Sequence, residues 1–276
     1  MIIYTEGILP LDTGLNIFYR YWKAENNKGH VIGIHGFAEH TGRYDEFARN
    51  LVLSGYSVIM YDLRGHGKTA NGSDIGYIKN FNYFIKDTEN FIKKMNEKLN
   101  INDFFIYGHS MGGLIVLEYI SKNKENLRGA ITSGPATMVS AGSFTKFVMT
   151  LMVKISPRTR VKLPINPEFL THEKNIWEAY IKDPLVFKNP TVNLIYEMYR
   201  YSRSVWKDLK NIEMPILMLH GGSDKIVPKE ATEKAFPLIG SKDKTKKIYD
   251  GMFHEIHNEI DRKIVYDDIS KWLKNH

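Results

Sequence analysis

The chain has 276 residues, 43% of them hydrophobic and 25% charged, which suits one large α/β domain with a sizeable core or two small domains. It contains no cysteine, which excludes disulfide bonds, thiolate metal sites and a cysteine nucleophile, and favours a reducing, cytoplasmic location. The formal net charge is +7, but the lysines are scattered over predicted polar helix faces, so we expect a solvated basic surface and no nucleic-acid partner.

The first predicted element is a hairpin. Residues 5–11 and 16–22 are its expected strands, joined by the turn Asp-Thr-Gly. The start of the chain lacks a basic region followed by a long apolar run, so we expect no signal peptide.

Strands and helices alternate after the hairpin. Apolar runs predict the strands, and helical periodicity predicts the helices between them. The strands are predicted at 30–36, 57–67, 103–108, 127–134, 215–224 and 245–251, and the helices at 43–56, 81–99, from about 112, 229–240 and 263–275. This alternation requires crossover connections, so we predict an α/β fold with a mostly parallel sheet, helices on both faces and function at the carboxyl ends of the strands.

Residues 136–206 interrupt the alternation. This stretch is helical, proline-punctuated and rich in Met, Phe and Tyr, so we predict a helical cap inserted into a catalytic core of residues 1–135 and 207–276. Residues 143–156 place apolar side chains at helical spacing: Phe144, Phe147, Val148, Leu151, Met152 and Ile155. The stripe fits a helix packed on the core, or a lid that meets acyl chains and a membrane or micelle surface. Because basic residues cluster beside it, we predict the lid.

The stretch Gly-His-Ser-Met-Gly-Gly at 108–113 breaks the apolar run between a predicted strand and the next helix. It could be a tight turn with an incidental serine, or a sharp elbow that presents Ser110 as a nucleophile. Gly108 and Gly112 flank Ser110 at two residues on either side, as the crowded backbone of such an elbow requires. This context predicts that Ser110 is the nucleophile.

A serine nucleophile needs a base, and the base needs an orienting acid. On this fold the acid and the histidine follow the serine in that order, each after a later strand. Asp224 ends the predicted strand at 215–224 and is the predicted acid. His254 follows the strand at 245–251 and is the predicted base.

Other residues compete for both roles. His257 lies one helical turn beyond His254 and is better placed to line a pocket. Asp243 lies in a charged stretch that we expect to be solvated, and Asp250 is too close to His254 in sequence to reach around its ring. Asp62, at another strand end, is predicted to order the loop that follows it.

The oxyanion of an acyl transfer must be held by donors in a fixed position. We predict that these are the backbone N–H of Met111, which follows the nucleophile, and that of Phe37, in the loop after the third strand. His35, His66 and His109 are predicted to hydrogen-bond loops and strand ends rather than to catalyse.

Four stretches resemble the monoacylglycerol lipase and lysophospholipase group of α/β-hydrolases: HGFAEHTGRYDEFARNLVLSGYSVIMYDLRGHGKT, GHSMGG, LHGGSDKIVP and KTKKIYDGMFHEIHNE. The resemblance implies an α/β-hydrolase fold and a serine hydrolase that uses the residues assigned above: Ser110, Asp224, His254, Phe37 and Met111. It also implies that three polar residues lie near the end of the pocket that holds a glycerol or head group: Glu39, Arg43 and His257. Phe37 departs from this group, which often has a small residue there, so its ring could narrow the acyl pocket.

We therefore predict a serine hydrolase that cleaves carboxylic esters through an acyl-enzyme, with a monoacylglycerol or similar lipid as its small-molecule substrate. No metal or organic cofactor is implied. An amidase or aminopeptidase on the same fold is the nearest alternative, because the sequence does not show how strongly the site protonates a leaving amine. A non-catalytic binding protein is the alternative from another class, although such a protein would be expected to have lost one of the three triad residues.

Overall fold

An eight-stranded sheet forms the centre of the molecule. This computed structural model describes residues 2–101, 103–123, 127–139, 143–162 and 165–276, with only the backbone of 143–147. The strands are β1 (Ile3–Pro10), β2 (Asn16–Lys23), β3 (Gly29–Ile34), β4 (Tyr56–Tyr61), β5 (Phe104–His109), β6 (Leu127–Ser133), β7 (Ile216–Gly221) and β8 (Lys244–Tyr249). The helices are α1 (Asp45–Leu53), α2 (Asn82–Leu99), α3 (Met111–Ile120), α4 (Ser143–Ile155), α5 (Lys174–Lys182), α6 (Val192–Ser204), α7 (Glu230–Ala235) and α8 (Arg262–Asn275).

The strands lie in the order β1-β2-β4-β3-β5-β6-β7-β8. β1 and β2 form the predicted hairpin, and β2 also pairs antiparallel with β4. The other neighbouring pairs are parallel. The predicted α/β fold with a mostly parallel sheet is therefore confirmed, and the carboxyl ends of β3, β5, β7 and β8 meet along one edge.

Two apolar cores cover the two faces of the sheet. Successive residues of β5 alternate between them, because Phe104 and Ile106 pack in one core while Phe105 lies in the other. Since both faces are covered, β5 is a continuous apolar run rather than an alternating one. Helix α3 is buried along its whole length, so the turn between β5 and α3 is held at both ends.

The predicted cap contains α4, α5 and α6, and α4 packs against α6. The described end of its apolar stripe faces outward, since Leu151 is 49% and Ile155 is 75% exposed. Met149, which the stripe does not include, is buried. The side chains of Phe144 and Phe147 lie outside the described residues, and the division into core and cap stays a prediction. Within the described ranges, every helix is too short or too polar to cross a membrane.

Candidate active site

Ser110 lies at the turn between β5 and α3 in a backbone conformation that few residues adopt, with φ 53° and ψ −116°. Such a conformation costs about 1–3 kcal/mol and persists only where the surrounding structure imposes it. A Cβ atom on Gly108 would lie 2.3 Å from the carbonyl oxygen of Gly112, and one on Gly112 would lie 2.2 Å from that of Ile34. Both distances are far inside van der Waals contact, so this elbow requires glycine on each side of the serine.

The structure brings the three predicted triad residues together from the ends of β5, β7 and β8. The Ser110 hydroxyl oxygen lies 2.9 Å from His254 Nε2, and His254 Nδ1 lies 2.6 Å from Asp224 Oδ2. An ionised carboxylate only accepts, so Nδ1 carries the proton and Nε2 is left to accept from the serine hydroxyl. A general base needs this arrangement to remove the serine proton.

The rival acids have other partners. Asp243 pairs with the C-terminal histidine, and Asp250 lines a separate groove beyond β8. Asp62 accepts hydrogen bonds from the backbone N–H groups of Thr41 and Lys68. It therefore ties together the loops after β3 and β4, beside the site rather than in it.

Charge and burial set the protonation states of the acid and the base. Asp224 Oδ1 accepts from the backbone N–H groups of Ile226 and Val227 at 2.8 and 2.9 Å. Burial alone would raise the pKa of Asp224, but the charge of His254 and hydrogen bonds from His220 and His254 hold it well below its ordinary value. Burial alone would lower the pKa of His254, but the charge and hydrogen bond of Asp224 raise it. Asp224 is thus an anion, and His254 is a stronger base than a free histidine.

The loop after β3 approaches the predicted nucleophile, Ser110, closely enough to supply an oxyanion donor. A Cβ atom on Gly36 would lie 3.2 Å from the Cβ atom of Ser110. Among the described residues, neither the N–H of Phe37 nor that of Met111 has a hydrogen-bond partner, so both donors are open. Met111 also begins α3 and lies at the positive end of that helix. The ring of Phe37 packs edge-on against Phe187 of the predicted cap, with centroids 5.8 Å apart.

A buried charged cluster of Glu39, Arg43 and Glu255 lines the same cavity as Ser110. Arg43 donates to both carboxylate oxygens of Glu255, at 2.6 and 2.7 Å, and also to Glu39. Burial opposes these charges, but the ion pairs raise the pKa of Arg43 and lower that of Glu255 to about 2. With two carboxylates beside one guanidinium, the cluster has a net negative charge. Glu255 is a site residue that sequence patterns miss, although its position directly after His254 is a usable signal.

His257 lies one layer behind the cavity and outside the described part of its lining. Its ring stacks on Tyr44 with centroids 4.8 Å apart and meets the ring of His109 edge-on at 4.8 Å. Burial lowers the pKa of His257 to about 4, so the ring is neutral at physiological pH. In the part of the chain that the structure describes, neither of its ring nitrogens has a hydrogen-bond partner. The structure thus places His257 beneath the cavity, and its place at the head-group end stays a prediction.

The three histidines that are predicted to bond loops and strand ends, His35, His66 and His109, do hydrogen-bond to the backbone. His35 accepts from an N–H after β4 at 2.9 Å, and His66 donates to a carbonyl in the same loop at 2.9 Å. His109 donates to the carbonyl of the last residue of β6 at 3.1 Å. Each of these contacts holds a loop or strand end near Ser110.

The cavity above Ser110 is small. Among the described residues, its volume is about 30 Å³. The predicted cap contributes Ile165, Leu170 and Tyr180 to its lining. His40, in the loop after β3, donates from Nε2 to Asp183 at 2.8 Å and so joins that loop to the segment after α5.

Similar proteins carry the same fold over nearly their whole length. Residues 25–261 match the family described as serine aminopeptidase, S33. A monoacylglycerol lipase of Mycolicibacterium smegmatis is 26% identical over 95% of this chain and 94% of its own length. Phospholipase YtpA of Bacillus subtilis is 28% identical over 89% of this chain and 95% of its own length. A similar crystal structure is that of a soluble variant of monoglyceride lipase from Saccharomyces cerevisiae in complex with a substrate analog. It superposes with a TM-score of 0.89 at 27% identity, and the match covers 100% of this chain and 96% of that one.

These similarities confirm the predicted α/β-hydrolase fold and the resemblance to the monoacylglycerol lipase group. The family match begins at residue 25, before β3, and ends at residue 261, beyond His254. It therefore includes every residue of the candidate site, and the chain belongs to the serine aminopeptidase S33 family of α/β-hydrolases.

Proposed function

We propose that this carboxylic-ester hydrolase cleaves monoacylglycerols or closely related lipid monoesters. The observation that carries the proposal is the continuous hydrogen-bond chain from Ser110 through His254 to Asp224, which opens into a cavity. The relatives named as monoacylglycerol and monoglyceride lipases support the choice of a lipid ester.

In the proposed reaction, His254 Nε2 takes the proton of Ser110 as the serine oxygen attacks the ester carbonyl. The backbone N–H groups of Phe37 and Met111 hold the oxyanion that forms. The His254 imidazolium, stabilised by Asp224, then protonates the leaving alcohol, and the acyl group stays on Ser110. Water attacks this acyl-enzyme by the same steps, releases the carboxylic acid and regenerates the serine.

The charged cluster of Glu39, Arg43 and Glu255 supports a neutral, hydroxyl-rich head group. Hydroxyl groups donate to carboxylates and accept from a guanidinium. An anionic phosphate would instead meet the net negative charge of the cluster, which disfavours it. We therefore propose that a glycerol monoester is preferred over a lysophospholipid with an anionic head group.

Substrate entry in this proposal requires movement of the predicted cap. The cavity that the described residues leave is about 30 Å³, far below the roughly 300–1,000 Å³ of ligand pockets, so displacement of Ile165, Leu170 and Tyr180 would make room for an acyl chain. Leu151 and Ile155 are exposed on α4, which supports contact with a micelle or membrane surface during that step. We place the enzyme in the cytoplasm, because a chain without cysteine forms no disulfide bonds and does not depend on an oxidising compartment.

An aminopeptidase is the second candidate, and one observation favours it. The net negative charge of the Glu39–Arg43–Glu255 cluster beside Ser110 would attract a free α-ammonium group as well as exclude a phosphate. Comparing a monoacylglycerol, an anionic lysophospholipid and an aminoacyl p-nitroanilide separates the candidates. We expect the monoacylglycerol to have the highest kcat/KM, and a preference for the anilide would establish the aminopeptidase instead.

The nucleophile is tested by Ser110→Ala, with Ser121→Ala at the end of α3 as a buried control outside the site. We expect the first variant to lose at least about 10⁴-fold in turnover of p-nitrophenyl butyrate, and the control to keep its activity. A fluorophosphonate should label the wild-type protein and the control but not Ser110→Ala. Unchanged turnover in Ser110→Ala would refute the proposal, and a wild-type protein that is never labelled would indicate a non-catalytic binding protein.

A further inference from the structure

A second buried histidine lies against the acid of the candidate triad. His220 is the fifth residue of β7, four positions before Asp224, and its exposed fraction is 0%. Ile216 and Met218, which point to the same face of the strand, pack in an apolar core. A polar ring in such a place costs free energy unless its nitrogens find hydrogen-bond partners.

The partners of His220 show which ring nitrogen carries a proton. Nε2 lies 2.9 Å from the carbonyl oxygen of Val227 and 3.2 Å from Asp224 Oδ2. Nδ1 lies 2.8 Å from the hydroxyl oxygen of Thr232. Because a carbonyl oxygen only accepts, Nε2 must carry a proton, which it donates to the carbonyl of Val227 with the carboxylate of Asp224 close beside it.

Asp224 Oδ2 therefore faces two histidine donors. It accepts from His254 Nδ1 at 2.6 Å, and His220 Nε2 lies 3.2 Å from the same oxygen. The same Nε2 holds the carbonyl of Val227, whose own N–H donates to Asp224 Oδ1. His220 thus holds both the carboxylate and the turn that presents it.

We propose that His220 is a positioning residue for the ester hydrolysis, because its Nε2–H orients Asp224 toward His254 and draws negative charge away from the shared oxygen. The inference rests on the proposed function of the triad. A donor that binds a carboxylate weakens the attraction of that carboxylate for a neighbouring cation. Without His220, Asp224 would stabilise the His254 imidazolium more strongly, and a larger fraction of His254 would be unable to accept the serine proton at a given pH.

Other titratable groups also influence His254. Besides Asp224, the groups that face it are Glu39, His109, Glu255 and His257. These groups stay in place when only His220 is changed. A shift in the titration of His254 therefore reports on His220 itself.

Two substitutions of His220 distinguish its hydrogen-bond donor from the space that its ring fills. His220→Met fills much of the space of the ring without a donor, whereas His220→Gln can place an amide N–H near the position of Nε2. We would measure kcat and KM for p-nitrophenyl butyrate from about pH 5 to about pH 9, where the acid limb reports the titration of the base. In His220→Met we expect this limb to move up by about one pH unit and kcat to fall about tenfold with little change in KM. His220→Gln should recover most of both losses.

The matched control is His30→Met, because His30 is a partly buried histidine of β3 that contacts Asn27 and lies outside the candidate site. We expect its acid limb to match that of the wild type. An acid limb that stays in place in His220→Met, or a Gln variant no better than the Met variant, overturns the proposal.

A measurement on the wild-type protein covers the case in which His220→Met does not fold. Nitrogen-15 NMR of the histidine rings should show a protonated His220 Nε2 throughout the active pH range, and an unprotonated Nε2 overturns the proposal. Failure of the proposed function gives a different result, since Ser110→Ala would then keep its activity and the wild-type protein would not react with a fluorophosphonate.

Discussion

Replacing Gly112 with alanine tests how closely the predicted nucleophile elbow is built against the loop that we propose supplies the second oxyanion donor. The new Cβ atom would lie 2.2 Å from the carbonyl oxygen of Ile34 and 2.6 Å from that of His35. Ordinary contact begins near 3.4 Å, so the start of α3 and the end of β3 must separate by about 1.2 Å. This movement would carry the N–H of Met111 away from that of Phe37. A misplacement of about 1 Å in an active site can cost about 100-fold in rate.

We expect kcat of Gly112→Ala on p-nitrophenyl butyrate to fall about 100-fold with little change in KM, and its free energy of unfolding to fall by about 1–3 kcal/mol. Gly113→Ala is the matched control, because its Cβ atom would lie 3.0 Å from Pro135 and needs a much smaller adjustment. Both variants are assayed well below their melting temperatures. If Gly112→Ala kept wild-type kcat, or if both variants lost the same amount, the argument from close backbone approach would be wrong.

Three further predictions follow from charge and exposure. Arg43→Met should lower the free energy of unfolding by about 3–5 kcal/mol at pH 7, because it leaves buried carboxylates unpaired. The pKa of Glu255 is lowered to about 2 in the fold, so its stabilising effect is present above its ordinary value of 4.5 and is lost as the pH falls toward about 2. Urea unfolding should therefore show the difference from wild type shrinking below about pH 4.5, and a constant difference contradicts this. Asp224→Asn removes the charge that raises the pKa of His254. The acid limb of kcat/KM should therefore move to lower pH, and kcat should fall about 10⁴-fold. An acid limb at the wild-type pH would exclude this coupling. Leu151→Ser combined with Ile155→Ser should leave the melting temperature nearly unchanged, because both side chains are exposed. The double variant should lose far more activity on long-chain monoacylglycerol than on p-nitrophenyl acetate. Early melting with parallel loss of both activities rules out the lid.

The sequence alone determined the elements of the core and the position of the candidate nucleophile. Mostly apolar runs such as 103–108 predict strands, because a strand covered on both faces is apolar along most of its length. The elbow could be located from spacing, because the crowding at Gly108 comes from Gly112, four positions along the chain; the contacts of Gly112 with Ile34 and His35 could not be read from the sequence. Asp224 and His254 could be selected because each follows an apolar strand, and the carboxyl ends of parallel strands share one edge.

Only the tertiary structure decided which polar side chains share the cavity and which lie behind it. Glu255 and His257 are neighbours in sequence, yet Glu255 binds Arg43, 212 positions away, while His257 stacks on Tyr44 beneath the site. His220 lies against Asp224 in addition to His254. It stands in an otherwise apolar strand, so the sequence around it carries no signal of its role.

The predicted cap shows the same difference between what sequence and tertiary structure reveal. Helical periodicity in the sequence identified α4, but not that Met149 would be buried while Leu151 and Ile155 face outward. Periodicity records the spacing of apolar residues along one helix, whereas burial depends on which other element packs beside it. Contacts between residues far apart in the chain form only when the whole sheet and its connections are assembled, so no local pattern encodes them.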